Sequence, residues 1–398
     1  MPQRHTVTPA RRPAWACLLL LGALSGCASA PAPATPPAPA AAPADATLAD
    51  AAQRMAVDLA SQLGAGAARS VVVDPMIDRT TGQQTELSQR VQGALVPALG
   101  AALKDATLLP LDATNEAKAR FVLTGTVSLA AAPDGYLVNI ALTDRPSGLV
   151  VAQSAGRFKG AGGSVAPTRF YNDSPSLVRD RSVDGYVRTA ETRKGNAADA
   201  LYVSQLPTAA ILADALDAYN AGRWEVALAA YNSVAARADG QQLRTFNGIY
   251  LANVRLGRLA DAETAFGRIA ALGLATNNLS VKLLFRPNSA TEFWPGRDLA
   301  GMYPMWLRQI ARAMQANGAC LDVVGHTSKS GTEALNERLS RARAETVRRL
   351  LVAERAALAA RLQASGMGFR ETIIGTGSDD AADALDRRVE FKVTTCPG

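Results

Sequence analysis

The sequence predicts an α/β multidomain chain of the α+β kind. It reads as a small N-terminal α/β domain, a pair of helical repeat hairpins, and a C-terminal domain with the element order βαβα(α)ββ. Three observations carry this. Short β-branched runs alternate with amphipathic helical periods over residues 47–165. The chain resembles itself at an offset of 35 residues within 209–279. Strand-like and helix-like stretches then alternate again over 280–398.

At the N-terminus, "RRPAWACLLLLGALSGCASA" places Arg11 and Arg12 before an apolar run at 14–24. Eleven residues are too few to span a bilayer, which needs about 20, so residues 1–26 read as a secretory signal. The run ends in Leu24-Ser25-Gly26-Cys27, which resembles a bacterial lipobox. The resemblance implies lipidation of Cys27 and cleavage before it. Ala28 in the next position implies the outer membrane, facing the periplasm. The alternative is an ordinary signal peptide cut after Ala28 or Ala30. Residues 27–46 are dense in Pro and Ala, which forbids helix and favours an extended, semi-rigid tether.

Leu48, Ala51, Met55, Leu59 and Leu63 recur at helical spacing over 47–64. "SVVVDPM" reads as a buried strand. A second amphipathic helix follows with Leu87, Val91, Leu95 and Leu99 on one face. Strands at "RFVLTGTVSLA", "GYLVNIALTD" and "GLVVAQSAGRF" are separated by the turn signals "APDG" and "RPSG". By element order this unit, 47–165, resembles the small α/β domains of outer-membrane accessory lipoproteins. Residues 166–208 read as an irregular, polar connector packed on a neighbouring domain.

Within 209–279, "AGRWEVALAAYNSV" aligns with "LGRLADAETAFGRI": Gly222 with Gly257, Ala227 with Ala262, Tyr231 with Phe266. The pattern resembles tetratricopeptide repeats. Two repeats are fewer than the three usually needed for independent stability. The pair is therefore expected to dock on the connector or the C-terminal domain, as a protein-binding element or as a spacer.

In the last domain, 280–398, a strand is expected over 280–285, a helix over 297–316 with Leu299, Trp306, Ile310 and Met314 on its apolar face, a strand at "ACLDVVGHT", helices over 333–351 and 354–365, and strands at "RETIIGTG" and "RRVEFKVTT". The stretch "VVGHTSKSGTEALNERLSRARAETVRRLL", with "DRRVEFKV" beyond it, resembles the OmpA-like peptidoglycan-binding family. The resemblance implies a domain that grips the diaminopimelate-containing stem peptide of peptidoglycan without covalent chemistry. It points to Thr327, Ser328, Asn336, Leu339, Arg343, Arg387 and Arg388 as binding residues.

Asn336 and Arg343 lie seven apart, nearly two helical turns, and share a side. Leu335, Leu339, Ala342 and Leu350 are expected as the buried stripe next to them. An arginine there suits bidentate capture of a carboxylate; its alternative role is to satisfy loop carbonyls. Arg387 and Arg388 are adjacent on a strand and face opposite sides, one toward the groove and one toward solvent. The residue after GHT is usually aspartate in the family, pairing with an ammonium, and here it is Ser328. Glu333, Asp379 or Asp380 are the candidate replacements. The fold that the resemblance implies also makes the strands bearing Cys320 and Cys396 antiparallel neighbours, so a Cys320–Cys396 disulfide is expected in an oxidising compartment.

Other functions find less support. The formal charge is +7, but residues 1–26 contribute three arginines and no acid; the remainder has 39 basic against 35 acidic residues, well mixed along the chain. Nucleic-acid binding wants a concentrated basic stripe with aromatics. The chain has two histidines, His5 and His326, and no CxxC or HExxH motif, so the usual zinc sets are absent. Neither GxSxG nor a Walker A motif occurs. The expectation is a non-enzyme without cofactor or metal: an outer-membrane lipoprotein that binds peptidoglycan, or alternatively a scaffold or accessory lipoprotein of an envelope secretion or motility complex.

Overall fold

A computed structural model gives the fold, describing residues 46–63, 69–130, 135–160, 164–286, 288–293, 300–375 and 386–396, with residues 377 and 383 between the last two. The signal, most of the tether and the lipidation expected at Cys27 fall at residues 1–45, outside the described residues.

The valine run makes strand β1 (Arg69–Val73). Val71 and Val72 are both buried, on opposite faces, so this strand is covered on two sides. One face meets helix α1 (Leu48–Leu63) and, after the two-residue β2 (Ile77–Asp78), helix α2 (Glu86–Ala102). Thr85 and Ser88 start α2 with a capping box. Beyond α2 come β3 (Ala106–Pro110), β4 (Phe121–Leu129), β5 (Gly135–Asp144) and β6 (Leu149–Lys159). The sheet order is β3-β1-β4-β5-β6, with β2 beside β4. The three strands joined by turn signals form an antiparallel meander; β3, unanticipated, adds in parallel to β1.

The second face is covered by the segment read as irregular. It contains three short helices: α3 (Arg169–Asp173), α4 (Arg181–Ala190) and α5 (Ala200–Ser204). Val183, Tyr186, Val187 and Ala190 give α4 a helical stripe that its polar composition concealed. Asp180 caps it by accepting from the Ser182 and Val183 amides. Val183, Tyr186, Val187 and Tyr202 pack on Val72 and Val122. The Tyr186 hydroxyl donates to Pro75 or Gly125 carbonyl oxygens, each at 3.0 Å, and accepts from the Gly125 amide at 2.9 Å.

The repeats form two helical hairpins: α6 (Leu206–Asn220) with α7 (Trp224–Ala235), and α8 (Leu243–Arg255) with α9 (Leu259–Ala275). Gly222 and Gly257 turn each hairpin at φ of 77° and 72°, a left-handed conformation that favours glycine. Tyr231 and Phe266 are both buried. The hairpins dock on the connector and on the C-terminal domain alike: Phe170 stacks on Tyr231, and Phe266 stacks on Trp306 at 5.3 Å.

The C-terminal domain runs β7 (Leu279–Val281), α10 (Tyr303–Asn317), β8 (Cys320–His326), α11 (Glu333–Glu354), β9 (Leu362–Gly368) and β10 (Val389–Thr394). Its sheet has the order β7-β10-β8-β9, with β8 and β9 parallel and β10 antiparallel to both its neighbours. Four sequence expectations shift. The opening strand is three residues long. Helix α10 begins at Tyr303, and Leu299 lies outside the described residues. The helix expected at 354–365 is a 3-10 turn, Ala356–Arg361, running into β9. The strand expected at "RETIIGTG" is instead a turn: the Asp386 carboxylate accepts from the Ile373, Ile374 and Gly375 amides. Cys320 pairs in register with Thr394, and the Cys320–Cys396 disulfide closes the sheet there with Cα atoms 5.1 Å apart. Among the described residues, no helix is long and apolar enough to cross a membrane.

Candidate functional site

Helix α11 approaches the sheet closely because two strand residues lack a side chain. A Cβ on Gly325 would lie 2.1 Å from the Ser340 carbonyl oxygen, and one on Gly366 would lie 2.4 Å from the Arg341 nitrogen. Ser340, fully buried, accepts from the Gly368 amide at 2.9 Å and donates to the Glu337 carbonyl at 2.9 Å.

The buried stripe of α11 differs from the one expected. Leu335 is 43% exposed, Leu339 is half-buried and Ala342 is exposed. The face turned inward carries Asn336, Ser340 and Arg343, then Ala344, Val347 and Leu351. The N-terminal half of the helix thus turns polar groups into the protein, and each has a task. Asn336 Nδ2 donates to the carbonyls of Ser330 (2.6 Å) and Thr332 (3.1 Å), folding the loop back onto the helix. Thr332 caps the helix by accepting from the Leu335 amide.

Thr327 and Ser328 are buried in that loop. Ser328 Oγ lies 3.3 Å from Ser330 Oγ. Thr327 Oγ1 is buried with no hydrogen-bond partner among the described residues. Glu333 is exposed and faces Arg370 at 3.9 Å, so it does not stand in for the missing aspartate; Asp379 and Asp380 lie outside the described residues.

Arg343 is 4% exposed. Its Nε donates to the Ser289 carbonyl at 3.0 Å, its Nη2 donates to the Arg286 carbonyl at 3.2 Å, and its Cζ lies 5.2 Å from the Phe285 ring centroid. The alternative role considered from sequence, an arginine satisfying loop carbonyls, is therefore realised. These bonds also fix the guanidinium plane, which bidentate recognition of a carboxylate requires. Asn336 and the 327–330 loop meet directly. Arg343 is anchored two turns further along by a different segment.

Arg387 is half-buried. Arg388 is buried, against the expectation that one of the pair would be solvated. Its Nε donates to Glu390 Oε1 at 2.7 Å and its Nη2 to the Glu371 carbonyl at 3.1 Å. Sequence reasoning also passed over Asp386 and His326. Burial pushes the Asp386 carboxyl up, against the three amide hydrogen bonds that favour its ionised form. Burial holds the His326 imidazole below its usual range.

A four-stranded mixed sheet is joined by a polar loop to a helix whose inner face holds an asparagine, a serine and a buried arginine, which defines a small α/β domain. Residues 303–384 match the OmpA family, and this segment is an OmpA family domain. The peptidoglycan-associated lipoprotein of Pseudomonas putida is 29% identical over 143 residues, 35% of this chain and 82% of that protein. Among solved structures, the peptidoglycan-associated lipoprotein from Burkholderia pseudomallei is 25% identical, with 29% of this chain and 89% of that chain covered and a TM-score of 0.24. The cell wall anchor of the T6SS from Pseudomonas aeruginosa is 30% identical, covering 29% and 80%, with a TM-score of 0.24.

Proposed function

We propose that this protein is a noncovalent link between the cell envelope and peptidoglycan. Its C-terminal domain takes the diaminopimelate-containing stem peptide at Thr327, Ser328, Asn336 and Arg343. A lipid on Cys27 seats the chain in the outer membrane, on the periplasmic face. The observation that carries the reading is the inward-facing polar stripe of α11, set against a buried, unsatisfied Thr327 hydroxyl, inside an OmpA family domain. The relative named for association with peptidoglycan supports it.

Ser328 bears on strength. A hydroxyl replaces the charged acceptor usual in the family, and ionic hydrogen bonds are roughly twice as strong as neutral ones. The expected penalty is about 1–2 kcal/mol, roughly tenfold in affinity. Co-sedimentation with purified peptidoglycan tests this. Wild type should pellet with the wall, Ser328→Asp should bind about tenfold more tightly, and Arg343→Ala should be lost from the pellet while keeping its far-UV circular dichroism. Wild type and Ser328→Asp both remaining in the supernatant would end the reading. In cells, Cys27→Ser should move the protein out of the membrane fraction; retention after a salt wash would remove the lipid anchor from the proposal.

A further inference from the structure

His326 is 2% exposed; its Nδ1 has no hydrogen-bond partner among the described residues, and its Nε2 has only a long contact with a carboxylate. Such a buried polar group calls for an explanation, an absent ion among them. Its surroundings supply one. Nε2 lies 3.5 Å from Glu390 Oε2, on the neighbouring strand. Glu371, from the loop after β9, brings a third donor, and the three ligand atoms lie within 4.8 Å of one another. Tetrahedral metal–ligand bonds of about 2.0–2.2 Å place donor atoms roughly 3.3–3.6 Å apart, the separation seen between His326 and Glu390, and the exposed Glu371 would move in to close the set.

A cation already occupies the mouth of this cluster. Lys392 Nζ is 3.3 Å from Glu371 Oε2 and 3.5 Å from Glu390 Oε2. The lysine side chain is 43% exposed and can swing out into solvent. Arg388 holds the opposite oxygen, Glu390 Oε1, and so orients the carboxylate with Oε2 toward the imidazole, as an outer-shell partner does. The Arg388 charge opposes a dication, but two carboxylates outnumber it once Lys392 leaves.

We propose that His326, Glu371 and Glu390 form a binding site for a divalent transition-metal cation, with Zn²⁺ the best match to a mixed imidazole–carboxylate set, and that Lys392 is the internal cation it displaces. The site sits at the end of β8, directly before Thr327 and Ser328. A bound ion would tie the strand end and the loop after β9 together beside the stem-peptide loop.

Isothermal titration of the full protein, without a histidine tag, with ZnCl₂ and separately with MgCl₂ at pH 7.5 tests the site. One Zn²⁺ per chain and no Mg²⁺ is expected. His326→Ala should abolish that binding, and Glu371→Gln, at an exposed position that leaves the fold intact, should weaken it at least about tenfold, in line with the effect of losing partners in metal sites. Lys392→Met should strengthen it. Absence of Zn²⁺ binding in both wild type and Lys392→Met overturns the proposal. So does binding that His326→Ala and Glu371→Gln, both folded, leave unchanged, which would mark an adventitious ion only.

Discussion

The N-terminal sheet has helices on both faces, with Val71 and Val72 of one strand buried in opposite directions. Helices α10 and α11 pack on one face of the C-terminal sheet, and its other face carries Asp322, His326, Ser365, Glu390 and Lys392 along with the buried Cys320 and Val324. Both are built on the same two-residue alternation. In β1 of the first, alternation gives way to burial on both faces. In the second, Val323 and Phe391 face the core, while Asp322, Ser365 and Glu390 on the opposite face are polar and paired. A doubly covered sheet is a scaffold; a singly covered one keeps a face on which charge can be arranged.

The contrast can be broken most severely on the covered side of the C-terminal sheet. Trp306 is fully buried, stacks on Phe266 and donates from Nε1 to the Tyr250 hydroxyl at 2.9 Å. Trp306→Ala should cost about 3–5 kcal/mol in urea unfolding monitored by circular dichroism; a loss under 1 kcal/mol would mean that this face is not held by packing. The next largest effect is at the sheet's end. Cys320 and Cys396 are 76 residues apart, and Cys396→Ser should lose about 2–4 kcal/mol through loop-closure entropy. A reducing agent should reproduce that loss in wild type and do nothing to the variant.

The smallest effects are the most discriminating, because the two sheets should respond to pH with opposite sign. Asp74, enclosed at the end of β1, is pushed up to about 6 by burial, although the Tyr202 hydroxyl donates to it at 2.7 Å. Its native form takes a proton more readily than the unfolded chain, so stability falls as pH rises from about 4 through 6. Asp74→Asn should be more stable than wild type by about 2–3 kcal/mol at pH 7.5 and equal to it near pH 4. Glu390 is the reverse case. Burial raises it, but the His326 contact and the Arg388 guanidinium outweigh burial and hold it below the usual carboxylate range. Its contribution is present above about pH 4.5 and is lost on acidification below that. Glu390→Gln should flatten the acid limb of the stability–pH curve that Asp74→Asn leaves intact. Parallel curves for the two variants would refute the contrast.

Much of this was legible in the sequence, and the failures share a cause. Amphipathic periods located α1, α2 and α11, and the 35-residue self-similarity located the pair of helical hairpins. Strand β9 was missed because "LQASGMG" has no β-branched residue; it forms because Gly366 lets it press against α11 and pair with β8. The buried stripe of α11 was misplaced because burial was inferred from apolarity, whereas Asn336, Ser340 and Arg343 are buried through hydrogen bonds that only the folded loop provides. His326, Glu371 and Glu390 come from a strand, a loop and another strand, so no contiguous motif could announce them. Asn336 and Arg343 were named from the family resemblance; their seven-residue spacing showed only that they share a side of the helix.

The match to a known family runs over 303–384, which reads like a cassette that evolution could lift out and reinsert. The aromatic seam says otherwise. Trp306 is sealed by Phe266 and Tyr250, which belong to the preceding hairpins, while β7, β10 and Cys396 lie beyond the matched segment at either end. A recombination event that carried the matched segment alone would deliver an open seam and a sheet lacking two of its four strands. The unit able to pass between genes is therefore larger than residues 303–384, because it must bring β7 and β10 with it.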